Sequence, residues 1–250
     1  MLPITVPDTF RIIAHRGASA YAPENTRAAF KLAADMRVRE FELDVQLSID
    51  EQVVICHDLT LEKYGYGPKV VEQMRWDELA RLDMGTWFSP CLFSGERMLT
   101  LAELFTEYER TVTYHIEIKG KAQHLPQTVC QLIDKFNLQA NCIITSFYHE
   151  SLIAVKSLNA SVRLGWLVAG VNLDTIATSK RDGFFQLCPR ADTATKDNVK
   201  SAHHANLEVR AWGVNGERSR VLSLIQQLKE SYCNGMTINW PDWVIHEGAG

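Results

Sequence analysis

Short apolar strands and amphipathic helices alternate eight times along this chain, and few folds accommodate that rhythm. The strand-like runs fall at 10–15, 40–46, 113–119, 142–147, 162–168, 184–188, 207–214 and 235–239. They are rich in β-branched and aromatic residues and are bounded by turn residues. Helix-like stretches lie near 24–36, 100–109, 123–136, 149–158, 172–180, 195–205, 216–230 and 240–246. Several open on a cap, as Thr100 does with Glu103 three residues on. Eight strand–helix units predict an α/β fold, a closed parallel TIM (β/α)8 barrel, and 250 residues suit one such domain spanning 1–250. An open doubly wound sheet is the competing architecture. Its dinucleotide-binding form is disfavoured, because no G-x-G-x-x-G follows the first strand.

One segment breaks the rhythm. Val53 to His57 reads as a further short strand, hairpin-paired with the end of the second. From about 58 to 99 the chain is rich in Gly, Pro and aromatic residues, among them Tyr64, Tyr66, Trp76, Trp87 and Phe88. A long connection on such a scaffold is functional or disordered, and the aromatic content favours an ordered insertion after strand 2, packed over the barrel mouth.

Composition narrows the function classes. A net charge of -4 argues against nucleic acid as a partner, which calls for a basic surface. Cys56, Cys91, Cys130, Cys142, Cys188 and Cys233 form no C-x-x-C pair and read as isolated, buried thiols. That favours a reducing compartment. No apolar run approaches the ~20 residues that span a bilayer, and residues 1–10 lack the pattern of a signal peptide. The expectation is a cytoplasmic enzyme without stable membrane association, its oligomeric state open.

The chemistry gathers at strand ends. The first strand closes on His15-Arg16-Gly17, with Pro23-Glu24-Asn25-Thr26 beyond it. Residues i and i+2 of a strand share a face, so Glu42 pairs with Asp44 and Glu117 with Lys119, their apolar neighbours turned the other way. Three carboxylates aimed into a barrel would repel one another and lose hydration. A hard divalent cation resolves that conflict, and oxygen ligands suit Mg²⁺ or Ca²⁺. His15 and His57 are the candidate proton-transfer pair. Arg16 offers a planar fork for phosphate oxygens and Lys119 a point charge. Phe147 and Trp212, at the ends of two other strands, are candidate pocket walls. His115 shares the face of Glu117 and stays without a role. His124, His149, His203, His204 and His246 read as unsupported by acids.

The ordered set His15-Arg16-Gly17, Pro23-Glu24-Asn25-Thr26, Glu42-x-Asp44, His57-Asp58-x-Thr60-Leu61, Glu117-x-Lys119 and Trp212-x-Val214-Asn215 resembles the glycerophosphodiester phosphodiesterase family. The resemblance covers nearly the whole chain, including the tract from Met74 to Leu101. It implies a TIM-type barrel that hydrolyses glycerophosphodiesters, small molecules, to glycerol 3-phosphate and an alcohol. It implies that Glu42, Asp44 and Glu117 hold one divalent cation, Mg²⁺ or Ca²⁺ with Mn²⁺ as a further candidate. It also implies that His15 and His57 do acid–base work, as base and acid respectively, and that Arg16 and Lys119 contact substrate. One departure stands out: the family's last strand usually ends Thr-Asp-x-Pro, and this chain has Ile238-Asn239-Trp240-Pro241. A lysophospholipase D or sphingomyelinase-D-like lipid phosphodiesterase is one rival, though no basic amphipathic helix is present to dock a bilayer. A barrel that binds a phosphodiester without cleaving it is another, and the complete pair of histidines and three acids speak against it.

Overall fold

The computed structural model describes residues 3–248, and its main sheet closes on itself. The first half of the chain forms β1 (Ile4–Val6), β2 (Arg11–His15), α1 (Arg27–Asp35), β3 (Glu40–Leu47), β4 (Val53–Ile55), α2 (Trp76–Leu79), β5 (Leu99–Thr100), α3 (Leu101–Tyr108), β6 (Thr113–Ile118) and α4 (Leu125–Phe136). The second half forms β7 (Cys142–Ser146), α5 (His149–Leu158), β8 (Arg163–Val168), α6 (Leu173–Arg181), β9 (Gln186–Pro189), α7 (Lys196–His204), β10 (Glu208–Val214), α8 (Arg218–Glu230), β11 (Gly235–Ile238) and β12 (Val244–His246). Eight parallel strands run around the ring in the order β2, β3, β6, β7, β8, β9, β10, β11. The ring closes where β11 meets β2, with Gly235 opposite Arg11 and Ile238 opposite Ala14. The expected barrel is therefore present.

Alternation along each strand separates two environments. Phe41, Leu43 and Val45 of β3 and Tyr114, Ile116 and Ile118 of β6 face outward and pack under the helices. The other face points to the barrel axis and is unusually polar. At its floor Arg11 pairs with Glu208, and the fully buried His115 stands 2.7 Å from Glu40. Higher up the same faces carry Glu42, Asp44 and Glu117. The expected face for His115 is thus the observed one, and Glu40 is its partner.

Beyond Leu47 the chain turns back as β4, antiparallel to β3, as the hairpin reading expected. The segment between β4 and β5 is held by its own cluster of Val54, Leu61, Tyr64, Val71, Leu79, Met84 and Met98. Asp83 organises its far loop by accepting from the backbone N–H groups of Gly85, Thr86 and Gly95. Glu72 ties it to the loop after β6, accepting from Lys121 N and Ala122 N at 3.1 Å each.

The expected helix at 240–246 is absent. A single 3-10 turn, Pro241–Trp243, is followed by β12, which pairs in parallel with β1. Val244 and Ile245 are β-branched, and β1 offers an edge to pair with, so a ladder is favoured over a further helical turn. The short β1 was not expected either. Among the described residues no helix is long and apolar enough to cross a membrane. The six thiols are free; five are buried as expected, whereas Cys91 is exposed.

Candidate active site

The turn after β2 sets the first group of residues. Arg16 and Gly17 both have positive φ, 57° and 82°. A side chain at Gly17 would stand 2.5 Å from the Ala29 backbone, so only glycine lets the strand end lie against α1. Thr26 then caps α1, accepting from Ala29 N. Between these points Glu24 and Asn25 are turned back toward the strand end. Asn25 Nδ2 donates to Asp44 Oδ2 at 3.0 Å, and Glu24 Oε1 accepts from Arg16 Nη1 at 3.0 Å.

Adjacent strands bring the acids together. Asp44 lies opposite Glu117 in the β3–β6 register, and Glu42 is two residues earlier on the same face. The three carboxylates offer oxygens that all lie within 4.8 Å of one another, and each residue is buried. Burial, Asp44 and Glu117 raise the Glu42 carboxyl well above the usual range, against the opposing pull of Arg16 and the buried Arg210. Burial and Asp44 push Glu117 up to about 7, although Lys119 Nζ stands 3.1 Å away. At Asp44 burial works in the same direction, but Arg16, His57 and Lys119 outweigh it and hold the carboxyl below its ordinary value. Asp44 Oδ1 is buried and has no hydrogen-bond partner in the protein. An orphaned carboxylate oxygen beside two reluctant acids is the donor set that a hard divalent cation fits.

The histidines flank this cluster with different partners. His15 Nδ1 is 2.6 Å from Asn239 Oδ1, and His15 Nε2 is 3.8 Å from Glu42 Oε2. Burial and the neighbouring Arg16 push His15 down to about 3, so it is a neutral imidazole at pH 7. His57 Nδ1 is instead 2.6 Å from the Asp58 carboxylate. A neutral ring held by an amide is suited to accept a proton at Nε2. A ring with an anionic partner is suited to carry one and hand it on.

Arg16 is more committed than the sequence suggested. Its Nη1 bonds Glu24, its Nε lies 3.2 Å from Asp44, and Glu24 also holds Lys63 Nζ at 2.7 Å. Phe147 and Trp212 do meet: their rings are edge to face at 5.1 Å, and the Trp212 indole N–H donates to Val168 O. Lys119 lies 5.9 Å from the Phe147 ring centre. All nine expected residues therefore line one end of the barrel. The sequence reading gave no role to Glu24, Asn25, Asp58 or Asn239, although each was quoted in a motif or as a departure from one. It missed Lys63 and Arg210, which carry no local pattern. It was also wrong about one histidine. His149 has an acid partner, Asp182 at 2.7 Å, supplied from 33 residues away.

Comparison with known proteins agrees with this geometry. A sequence model of the Glycerophosphoryl diester phosphodiesterase family matches residues 15–243. The chain is 32% identical over 243 residues to the Bacillus subtilis protein YhdW, covering 95% of this chain and 97% of that one. It is 37% identical over 160 residues to the glycerophosphodiester phosphodiesterase of Caldanaerobacter subterraneus subsp. tengcongensis, covering 62% and 65% of the two chains. Its fold matches an Oleispira antarctica phosphodiesterase solved with the product sn-glycerol-3-phosphate, with a TM-score of 0.80, 23% identity and coverage of 95% and 94%. A family match from His15 to Trp243, on a barrel that gathers the family's motifs at one mouth, places this chain in the glycerophosphoryl diester phosphodiesterase family.

Proposed function

We propose that this barrel is a metal-assisted hydrolase in which Glu42, Asp44 and Glu117 hold one divalent cation, His15 is the general base and His57 the general acid. Membership of the family makes the chain a phosphodiesterase that cleaves glycerophosphodiesters to glycerol 3-phosphate and an alcohol. The product in the Oleispira antarctica relative supports the same small-molecule substrate here. The observation that carries the finer reading is the convergence of three buried carboxylates within 4.8 Å, with histidines on either side.

The chain's own groups divide the work as follows. Glu42, Asp44 and Glu117 would hold the ion, and Asn25 and Arg16 fix the Asp44 carboxylate that faces it. When bound, the cation supplies Lewis-acid stabilisation of charge developing on a non-bridging phosphoryl oxygen. Arg16 and Lys119 add positive charge on the substrate side. His15, its Nδ1 engaged by Asn239, takes the proton of the attacking hydroxyl at Nε2. His57, its Nδ1 engaged by Asp58, gives a proton to the leaving alkoxide. Phe147 and Trp212 wall the pocket. The buried thiols support a reducing, cytoplasmic setting.

The test is turnover of glycerophosphodiesters by protein dialysed against excess chelator. We expect activity to vanish and to return with Mg²⁺, Mn²⁺ or Ca²⁺. Full turnover in the chelator would remove the metal from this scheme.

A further inference from the structure

We infer that Gln46 is a positioning residue for His57: its buried amide grips the backbone on both sides of that histidine and so holds the proton donor in place. The inference rests on the reading above, in which His57 is the general acid.

The sheet alone does not fix the segment that carries His57. The β3–β4 ladder runs from Leu47 opposite Val53 to Val45 opposite Ile55. One more bond, from Cys56 N to Asp44 O at 3.0 Å, extends it. Beyond that point the chain leaves the ladder. Among the described residues, the N–H groups of His57 and Asp58 meet no backbone carbonyl. The chain pairs again at Thr60, which bridges Val70. His57 therefore stands in an irregular bend between two anchored points.

Gln46 supplies what the ladder leaves out. It lies on β3, two residues past Asp44, on the face shared with Glu42 and Asp44. It is fully buried. Its Nε2 donates to Cys56 O at 2.9 Å and to Asp58 O at 2.8 Å. Those two carbonyls flank His57, and the two bonds engage both protons of the amide. Its Oε1 is buried and has no hydrogen-bond partner in the protein. An amide taken out of water with one atom orphaned is unfavourable, and an apolar side chain of similar volume would avoid that penalty. Packing alone thus gives no reason for a glutamine here, whereas the grip on the bend does.

The grip places more than one ring. Asp58, whose carboxylate stands 2.6 Å from His57 Nδ1, belongs to the same bend, so ring and partner are held together. Both attachments of the bend refer to β3, through Asp44 O and through the Gln46 amide. One strand therefore carries an acid of the cluster and the group that holds the proton donor. His15 is fixed from elsewhere, by Asn239 beyond β11. Loss of the Gln46 amide should accordingly disturb donation to the leaving group and spare the base.

Gln46→Met replaces the amide with an uncharged side chain of similar length. The experiment measures the full chain at saturating Mn²⁺ on two substrates. Glycerophosphoglycerol leaves as an alkoxide that needs a proton; a p-nitrophenyl phosphodiester departs with little protonation. We expect kcat on the first to fall roughly ten- to a hundred-fold, as for a displaced catalytic group, with KM and calorimetric Mn²⁺ affinity unchanged. Turnover of the second should stay near that of wild type. In a His57→Ala background Gln46→Met should add nothing, because it acts through that ring. An equal fall on both substrates overturns the inference. So does a full further loss in the His57→Ala background, or an unimpaired kcat on glycerophosphoglycerol. Gln46→Asn keeps an amide but is one methylene too short for the grip, and it should repeat the pattern if methionine is not tolerated. A chain that folds with neither replacement makes Gln46 a structural residue and also overturns the inference. If His57→Ala alone turns over glycerophosphoglycerol at the wild-type rate, the acid role proposed above fails and this inference fails with it.

Discussion

His15 is held by an amide and His57 by a carboxylate, and this difference at two side chains is the basis of the separate roles proposed for them. The separation can be read through the leaving group. His57→Ala should lower turnover of glycerophosphodiesters by roughly 10²–10⁴, the usual cost of losing a general acid. A p-nitrophenyl phosphodiester, whose leaving group has a pKa near ~7, departs with little protonation, so the same variant should be far less impaired on it. His15→Ala should be impaired on both, because the attacking hydroxyl still needs its base. Rescue of His15→Ala in place of His57→Ala would exchange the two roles. His203→Ala is the control, since that ring bonds Asn234 between helix and strand and should leave chemistry unchanged. Residues that share a strand face were legible from the sequence: Glu42 with Asp44, and Glu117 with Lys119, follow from alternation alone. Asn239 against His15 and Lys63 against Glu24 were not, because each contact joins residues that no local periodicity connects.

At the scale of elements, the turns between strand and helix carry more specificity than the strands. Gly17 shows why. Its φ of 82° is in the left-handed region, and a Cβ there would strike the Ala29 backbone. Gly17→Ala should therefore cost roughly 2–4 kcal/mol from left-handed strain plus overpacking. It should also lower activity by moving Arg16. Chemical denaturation measures the first effect, and unaltered stability would mean that α1 can shift aside. The eight strand–helix units were readable because their periodicity differs from that of turns. The last segment misled because Val244-Ile245-His246 is too short for periodicity to act, and the partner that makes it a strand, β1, lies 240 residues away in register. The irregular segment before β5 was recognisable as an insertion by composition. What it does for the site depends on Glu72 and Lys63, whose partners lie outside it.

For the molecule as a whole, the acid cluster makes stability, metal and protons interdependent. Glu117 near 7 and a raised Glu42 have higher folded than unfolded values. Their contribution to metal-free stability is full below about 4.5 and is lost as pH rises through 7. A cation relieves the same repulsion and must displace the protons to do so. Metal-induced stabilisation should therefore grow between pH 5.5 and 8, and binding at pH 7 should release protons. Calorimetry of Mn²⁺ binding in two buffers of different ionisation heat measures that release; identical heats in both would mean the cluster is already ionised. The ring order adds a consequence in time. Asp44 and Glu117 face each other across two neighbouring strands, so a partly assembled barrel can already form the acid cluster. The His15–Asn239 bond crosses the seam between β2 and β11, whose residues are more than 220 positions apart and meet at high entropic cost. On the proposed roles, a folding chain would gain the carboxylate cluster before the His15–Asn239 bond orients the base, and would become a catalyst only when the circle shuts.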